Sequence, residues 1–418
     1  INTFFSYNII LPFIALMLVT VMLSGLYPAA FLSSFQPIDL LNRTSSSRHS
    51  SRVRKFLVIL QFSISVVLIM STLVIHNQFR FMKNMDLGFS KENQMFIQIP
   101  RAGQDKLDVI KNRFSQIIGE DSYAVSNRVL ANMGTFNHIS KWDGNTDNTS
   151  IMVNEMKIDH QFISLLDMEI IEGRDFRQTE SAPAVIINQE AAAKMGFENP
   201  VGKRIFNNGE YYEVVGMLKN FHFKPLKSDI TPIILYFSQD GSYINLKVNP
   251  TNLASTIKAL EHALKEVLPE SPFSYGFLAE KIDSYYSSDK DDGKIIKLFS
   301  LLAILTSCLG ILGLASFLAQ SKTKEIGIRK TMGASKWNVV MRLVKEILVL
   351  VILSGVIGGI AGRFVMTNWL NNYAYRIEVG VLHFTGALAI SLILAIATIS
   401  FHAWRSASIN PVEALRKE

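Results

Sequence analysis

The stretch "SKTKEIGIRKTMGAS", from Ser321 to Ser335, decides how the chain is organised. It places four cationic side chains between two long apolar runs that carry almost no charge, Ile296–Ala319 and Ile347–Met366. A helix of about 20 apolar residues covers the roughly 30 Å hydrocarbon core of a bilayer. The pattern therefore predicts two membrane-spanning helices joined by a short basic loop.

Three further runs have the length and composition of membrane spans: Ile9–Leu32, Phe56–Ile75 and Phe384–Trp404. Only 18% of the residues are charged, and the mean hydropathy is +0.22. Buried helices of a large soluble core are the alternative, but such helices usually keep a polar face, and these five runs do not. Composition thus favours a membrane protein with five transmembrane helices and disfavours a soluble enzyme.

Basic residues mark the cytoplasmic ends of membrane segments. Residues 33–55, 321–346 and 405–418 together carry fifteen Lys or Arg against five Asp or Glu. If the chain alternates across the bilayer, all three segments lie in the cytoplasm and the long stretch between the second and third spans lies outside. The net charge of +7 is then a topology signal. It does not indicate nucleic-acid binding, because no basic stretch is interleaved with aromatic residues.

The outer segment, residues 78–293, has the composition of a globular domain. Helical patterns at Asp105–Ile118, Gln189–Met195 and Leu253–Leu268 alternate with short β-rich runs. These runs are "QMFIQI", "PAVIIN", "YYEVVGML", "PIILYF" and "YINLKV". The predicted fold is an α-helical membrane protein with five transmembrane helices and one large α+β extracytoplasmic domain.

No catalytic, cofactor or metal site is predicted. "GFENPVGKR" has five residues between its glycines and lacks the Ser or Thr of a phosphate loop, so it is interpreted as a turn. "DKDDG" at 289–293 lacks the spaced ligands of a calcium loop and is interpreted as a solvated charge run. His222 has no partner at metal-ligand spacing, and the single cysteine, Cys308, is expected to pack in the third span.

Two stretches match at a distance of 374 residues, since Tyr27–Leu41 aligns with Phe401–Leu415 and Pro37 falls on Pro411. Chance similarity is the alternative. If the match is an internal repeat, the first span is the last helix of an earlier half of the protein. In the fourth span, "GVIGGIAG" offers small residues for close helix packing, at Gly355, Gly358, Gly359 and Gly362. Plain flexibility of that span is the alternative. Arg363 is expected to reach the outer interface, and a functional role within the span is the alternative.

The stretch from Ser321 to Ser335 also has the residue spacing of an ordered helix, which a topology signal alone does not require. Glu325 and Arg329 stand four residues apart in the favourable order for a helix, and Gly333 is a stop signal. A short cytoplasmic helix of this kind indicates contact with another protein.

"KTKEIGIRKTMGAS" resembles the signature of the FtsX/MacB-like ABC transporter permeases. The third span, the tail "INPVEALRKE" and the outer motifs "EGRDF", "VIINQEAAAKMGFENPVGKRI" and "VVGMLKNFHFKPL" are similar to the same family. In a double-length member this chain would be the C-terminal part. The resemblance implies that a partner ATPase couples through Lys324, Glu325, Ile326, Gly327, Ile328, Arg329, Lys330, Gly333 and Ala334.

The resemblance also implies a layout of the chain. A preceding half of the protein would end with residues 1–55. Two transmembrane helices, 56–77 and 294–320, would flank a MacB-like core domain at 78–293. The coupling segment would follow at 321–339, and two further helices and the tail would occupy 340–418.

The expected function is that of a permease, not an enzyme. Cytoplasmic ABC ATPase subunits would bind the ATP, the chain would hold no cofactor, and movement of the outer domain would export or extract peptides, drugs or lipoproteins. A non-transporting regulator that activates a cell-wall hydrolase is the alternative. The expected location is a bacterial inner membrane, with a periplasmic adaptor or hydrolase as a further possible partner.

Overall fold

The computed structural model describes residues 46–131, 136–147, 149–180, 182–321 and 336–407, with the isolated positions 14, 18 and 22. The chain divides into two compact units. We call Ile1–Val67, Leu301–Ile360 and Thr385–Glu418 the helical unit, and Leu68–Ser300 with Ala361–Phe384 the sheet unit.

Four long helices supply the spans that the described residues contain. They are α1 (Ser46–Asn84), α7 (Ser287–Ser321), α8 (Lys336–Leu370) and α9 (Val381–Ala407). Each is long and apolar enough to cross a bilayer. The fifth expected span, Ile9–Leu32, lies outside the described residues except for the three isolated positions, and so does the matching stretch Tyr27–Leu41.

The helical unit has a core to which all four helices contribute. Phe62, Ile311, Ile347 and Ala395 are buried there, one from each helix. Large apolar side chains such as Leu309, at 66% exposure, point away from this core. Apolar side chains exposed all round a helical bundle are stable in hydrocarbon and not in water, which fits membrane-spanning helices.

The sheet unit is built on twelve strands in one mixed sheet. The strands are β1 (Gln94–Gln98), β2 (Tyr123–Ser126), β3 (Phe136–Ile139), β4 (Lys141–Trp142), β5 (Ile151–Ile158), β6 (Ile170–Gly173), β7 (Ala184–Asn188), β8 (Arg204–Asn207), β9 (Glu210–Leu218), β10 (Ile233–Phe237), β11 (Tyr243–Lys247) and β12 (Ser274–Phe277). The order is β12-β1-β11-β2-β5-β10-β7-β9-β8-β4, with β3 on β5 and β6 on β9. β5 runs parallel to β10 and β7 parallel to β9, and the other pairs are antiparallel.

Short helices cover the sheet: α2 (Leu107–Ile118), α3 (Phe162–Leu165), α4 (Gln189–Met195), α5 (Leu253–Val267) and α6 (Leu278–Ser284). Helices α2 and α5 bury Phe114 and Leu264 in one core with Ile97 of β1. Helix α4 begins at an Asn188 cap, whose side chain accepts a hydrogen bond from the Ala191 amide, and it ends at the left-handed Gly196.

The predicted strands and helices of this domain are confirmed at their centres. Each of the five β-rich runs forms a strand, and "GFENPVGKR" forms turns before the β8–β9 hairpin, as expected. The "DKDDG" prediction is confirmed for Lys290, Asp291 and Asp292, which are exposed. The run lies in the first turns of α7, and Asp289 differs from the prediction, because its carboxylate is only 12% exposed and pairs with Lys227 at 2.7 Å.

Candidate functional site

An ion pair joins the N-terminal parts of α1 and α8 in the helical unit. Lys55 Nζ lies 2.7 Å from a Glu346 carboxylate oxygen, and both side chains are about one-third exposed. On the same turn of α1, the Arg54 guanidinium lies 3.8 Å from the ring centroid of Phe317 near the end of α7. A cation over an aromatic face adds a modest attraction. Helix α1 thus contacts the helices on both sides of residues 322–335.

The nine residues predicted to couple to an ATPase, Lys324 to Ala334, lie outside the described residues. Their role stays a prediction. In the sequence, Arg54, Lys55 and Glu346 indicate topology only, because nothing in their spacing shows that residues almost 300 positions apart meet.

The glycines of α8 face two different helices of the helical unit. A Cβ atom at Gly358 would lie 2.5 Å from the Ser63 carbonyl oxygen on α1. A Cβ atom at Gly355 would overlap the side chain of Leu388 on α9. Gly359 and Gly362 are buried as well. Both glycines with a described neighbour therefore let a second helix approach closely.

The spans are less free of polar contacts than their composition suggests. Ser65 and Ser307 share a hydrogen bond of 2.8 Å between α1 and α7, and the Ser63 hydroxyl donates to the Ser354 carbonyl oxygen at 3.2 Å. All four serines are buried. Helix α1 is thus bonded to both α7 and α8. Hydrogen bonds of this kind hold helices in register in hydrocarbon.

In the sheet unit, α1 is bonded to the segment that follows α8. The Gln78 side chain is fully buried. Its amide nitrogen donates to the Tyr375 carbonyl oxygen, and its amide oxygen accepts from the Ile377 nitrogen, both at 2.9 Å. The buried amide thus has a donor and an acceptor partner, which fixes the segment after α8 against α1.

The same segment packs on the core of the sheet unit. Tyr373 is buried there, and its ring lies under the Lys227 ammonium group at 5.3 Å. Burial and the nearby Asp289 carboxylate raise the pKa of Tyr373, so it stays neutral. The rings of His222 and Tyr375 pack edge to face, with their centroids 4.5 Å apart. Burial lowers the pKa of His222. His222 is thus a packing residue in a loop, as expected.

Among the described residues, no group of three His, Cys, Asp or Glu side chains could hold a metal ion. Side chains of helix α1 are bonded to partners in the helical unit and to partners in the sheet unit.

Two family models match the chain in order. The model described as MacB-like periplasmic core domain matches residues 56–263, and the one described as FtsX-like permease C-terminal matches residues 297–411. The chain belongs to the FtsX/MacB-like ABC transporter permeases. It is a membrane permease component of that family.

Relatives of this permease are named as exporters. The macrolide export ATP-binding/permease protein MacB of Neisseria gonorrhoeae is 24% identical over 337 residues, which are 76% of this chain and 50% of that protein. The pyoverdine export ATP-binding/permease protein PvdT of Pseudomonas savastanoi is 24% identical over 66% of this chain and 44% of its own length. The permease chain therefore spans about half the length of the curated relatives it matches.

A solved structure is also similar to the permease. The periplasmic region of MacB from Actinobacillus actinomycetemcomitans aligns with 47% of this chain and 94% of its own length, with a TM-score of 0.34 and 15% identity.

Proposed function

We propose that the chain is the transmembrane permease subunit of an ABC exporter in a bacterial inner membrane. A partner ATPase in the cytoplasm binds and hydrolyses ATP, and this chain holds no cofactor itself. Hydrolysis moves the helices, and the helices move the sheet unit outside the membrane. The substrates are peptides, drugs or lipoproteins that are already in the periplasm or in the outer leaflet.

One observation carries this proposal: side chains of α1 bond to α8 or to the segment after it in both units. Lys55 pairs with Glu346 in the helical unit, and Gln78 holds Tyr375 and Ile377 in the sheet unit. A packed helix responds to a push as a rigid body, because cores are not continuously deformable. A push on the segment between α7 and α8 would therefore be passed along α1.

The test measures ATP-dependent movement in the full protein reconstituted with its ATPase. Two spin labels are placed on the sheet unit and on a lipid-exposed position of α9, and their distance is recorded with and without ATP and vanadate. We expect a shift in distance that Lys55→Glu abolishes, although the ATPase still co-purifies.

The charge-swapped double variant, Lys55→Glu with Glu346→Lys, is the matched control and should restore the shift. An unchanged shift in Lys55→Glu alone would contradict the role given to α1. No shift in the wild-type protein would contradict mechanical coupling as a whole.

A further inference from the structure

A cavity of about 300 Å³ lies within the sheet unit, between the end of α1, helix α6 and the start of α7. Its walls are largely apolar. They are formed by Phe79, Met82, Leu87, Leu226, Ile282 and Tyr286. This volume is at the lower end for ligand pockets, so the cavity admits one slender apolar group and excludes a folded peptide.

Cations surround this apolar interior. Arg80, Lys83 and Lys91 contribute to the lining, and none of the three has an ion-pair partner among the described residues. Lys290 also lines the cavity and pairs at 3.1 Å with Asp283, the only carboxylate among the described lining residues. His76 completes the polar set.

A shallow depression beside the cavity is mixed in charge. It shares Lys83, Lys91 and Asp283 with the cavity and adds Glu92 and Glu280. Arg80 and Lys290 belong to the cavity alone, so the excess of positive charge lies in the cavity and not in the depression.

The sequence sets the height of this cavity in the bilayer. His76 to Lys83 follow directly after the apolar run that ends at Ile75, and Lys290 precedes the apolar run of α7. Arg and Lys at the ends of spans lie at the level of the lipid headgroups. The cationic residues of the lining are therefore expected at headgroup level, beside the apolar interior of the cavity.

We propose that this cavity binds the acyl chain of an anionic amphiphile, whose phosphate or carboxylate is held by Arg80 and Lys83. The proposal deepens the exporter function, on which it rests for the outward orientation of the cavity, by naming the substrate class. The apolar walls match the chain, and the unpaired cations match the headgroup. A zwitterionic headgroup offers a phosphate but adds an ammonium group, which the cations of the lining repel, and an uncharged headgroup offers no counter-charge.

The test uses the full chain in phosphatidylcholine nanodiscs, without ATPase or nucleotide. Binding of lysophosphatidylglycerol and of lysophosphatidylcholine is titrated for the wild-type protein and for variants. Each cation near a lipid headgroup contributes about fivefold in affinity. The double variant Arg80→Glu/Lys83→Glu should therefore bind the anionic lipid at least about tenfold more weakly. Lys258→Glu, on the exposed face of α5, should bind like the wild type.

Met82→Trp fills the cavity and should abolish binding of both lipids, while an unchanged thermal midpoint shows that the fold persists. Equal affinity for the two lipids, or binding that neither Arg80→Glu/Lys83→Glu nor Met82→Trp weakens, would overturn the proposal. Because no ATPase is present, either result leaves the coupling function to its own test.

The source of the ligand is tested with a photoreactive phosphatidylglycerol built into the nanodisc. Cross-linking to Phe79 or Met82 identifies a ligand from the bilayer. Binding of the added lysolipid without such cross-linking identifies a ligand from solution.

Discussion

The close packing of α8 on α1 depends on the absence of a side chain at a glycine of α8. A Cβ atom at Gly358 meets the Ser63 backbone, whereas one at Gly313 of α7 meets nothing within 4 Å. Gly358→Val should destabilise the protein by about 1–3 kcal/mol because neither helix backbone can yield easily. Gly313→Ala is the matched control and should leave the thermal midpoint unchanged or raise it. The measurement is thermal unfolding in detergent, and equal midpoints in both variants would contradict the close packing of α8 on α1.

A buried carboxylate predicts a specific pH dependence. Asp159 follows β5 and accepts hydrogen bonds from the amides of Val125, at 2.7 Å, and Gln161, at 3.2 Å. Burial nevertheless raises its pKa from 3.8 to about 6. The folded state therefore binds its proton more tightly than the unfolded state does. This contribution to stability is complete below about pH 4 and is lost as the pH rises through 6, and it amounts to about 3 kcal/mol.

Asp159→Asn should remove this pH dependence. The midpoint difference between the variant and the wild type is measured from pH 4 to pH 8. We expect the midpoint of the variant to rise relative to that of the wild type as the pH rises. A difference that stays constant across this range would show that Asp159 does not titrate near pH 6.

Sequence patterns located the membrane runs but not the contacts within them. The serines of α1 and α7 carry no signal in the sequence, because a hydrogen bond such as that between Ser65 and Ser307 depends on which helix faces meet. For the same reason Gln78 carried no signal, since its partners Tyr375 and Ile377 are almost 300 residues away.

At the scale of elements, the strand centres were predictable because β-branched and aromatic residues alternate between turn residues. The helix ends were not. Helix α1 continues to Asn84, nine residues past its apolar run, and α7 begins at Ser287 with a charged turn. These polar turns are held by tertiary bonds such as the one between Lys227 and Asp289, which a pattern within the helix cannot show.

The bond between α1 and the segment after α8 gives a prediction at this scale. Gln78→Leu leaves the Tyr375 carbonyl group and the Ile377 amide without their partner, and an unsatisfied buried group costs about 1–3 kcal/mol. The Ile377 amide should then exchange hydrogen roughly 5- to 100-fold faster, as read by mass spectrometry of the 370–380 peptide. Asn77→Leu is the control on an exposed neighbour, whose amide group bonds to His383 outside that peptide. Equal exchange in both variants would contradict the anchoring role of Gln78.

At the scale of the whole molecule, the outer segment 78–293 is expected to fold alone. It contains all twelve strands and their cores. It lacks Tyr373, Trp369 and Tyr375, which pack on the largest core of the sheet unit. The isolated segment should be soluble with a cooperative thermal transition, at a lower temperature than the same unit in the full chain. An aggregated or unfolded segment would contradict an independent outer domain.

We propose that a cytoplasmic ATPase acts on this permease through the stretch from Ser321 to Ser335. The most direct measurement is affinity purification of the full-length protein from membranes in mild detergent, with ATP hydrolysis assayed on the eluate. We expect an ABC ATPase to co-elute with the wild type and to be lost with Glu325→Lys or Gly327→Pro, while both variants still insert into the membrane. Unchanged co-elution with both variants would contradict the coupling segment, and no co-eluting ATPase with an intact wild-type protein would contradict the transporter function itself.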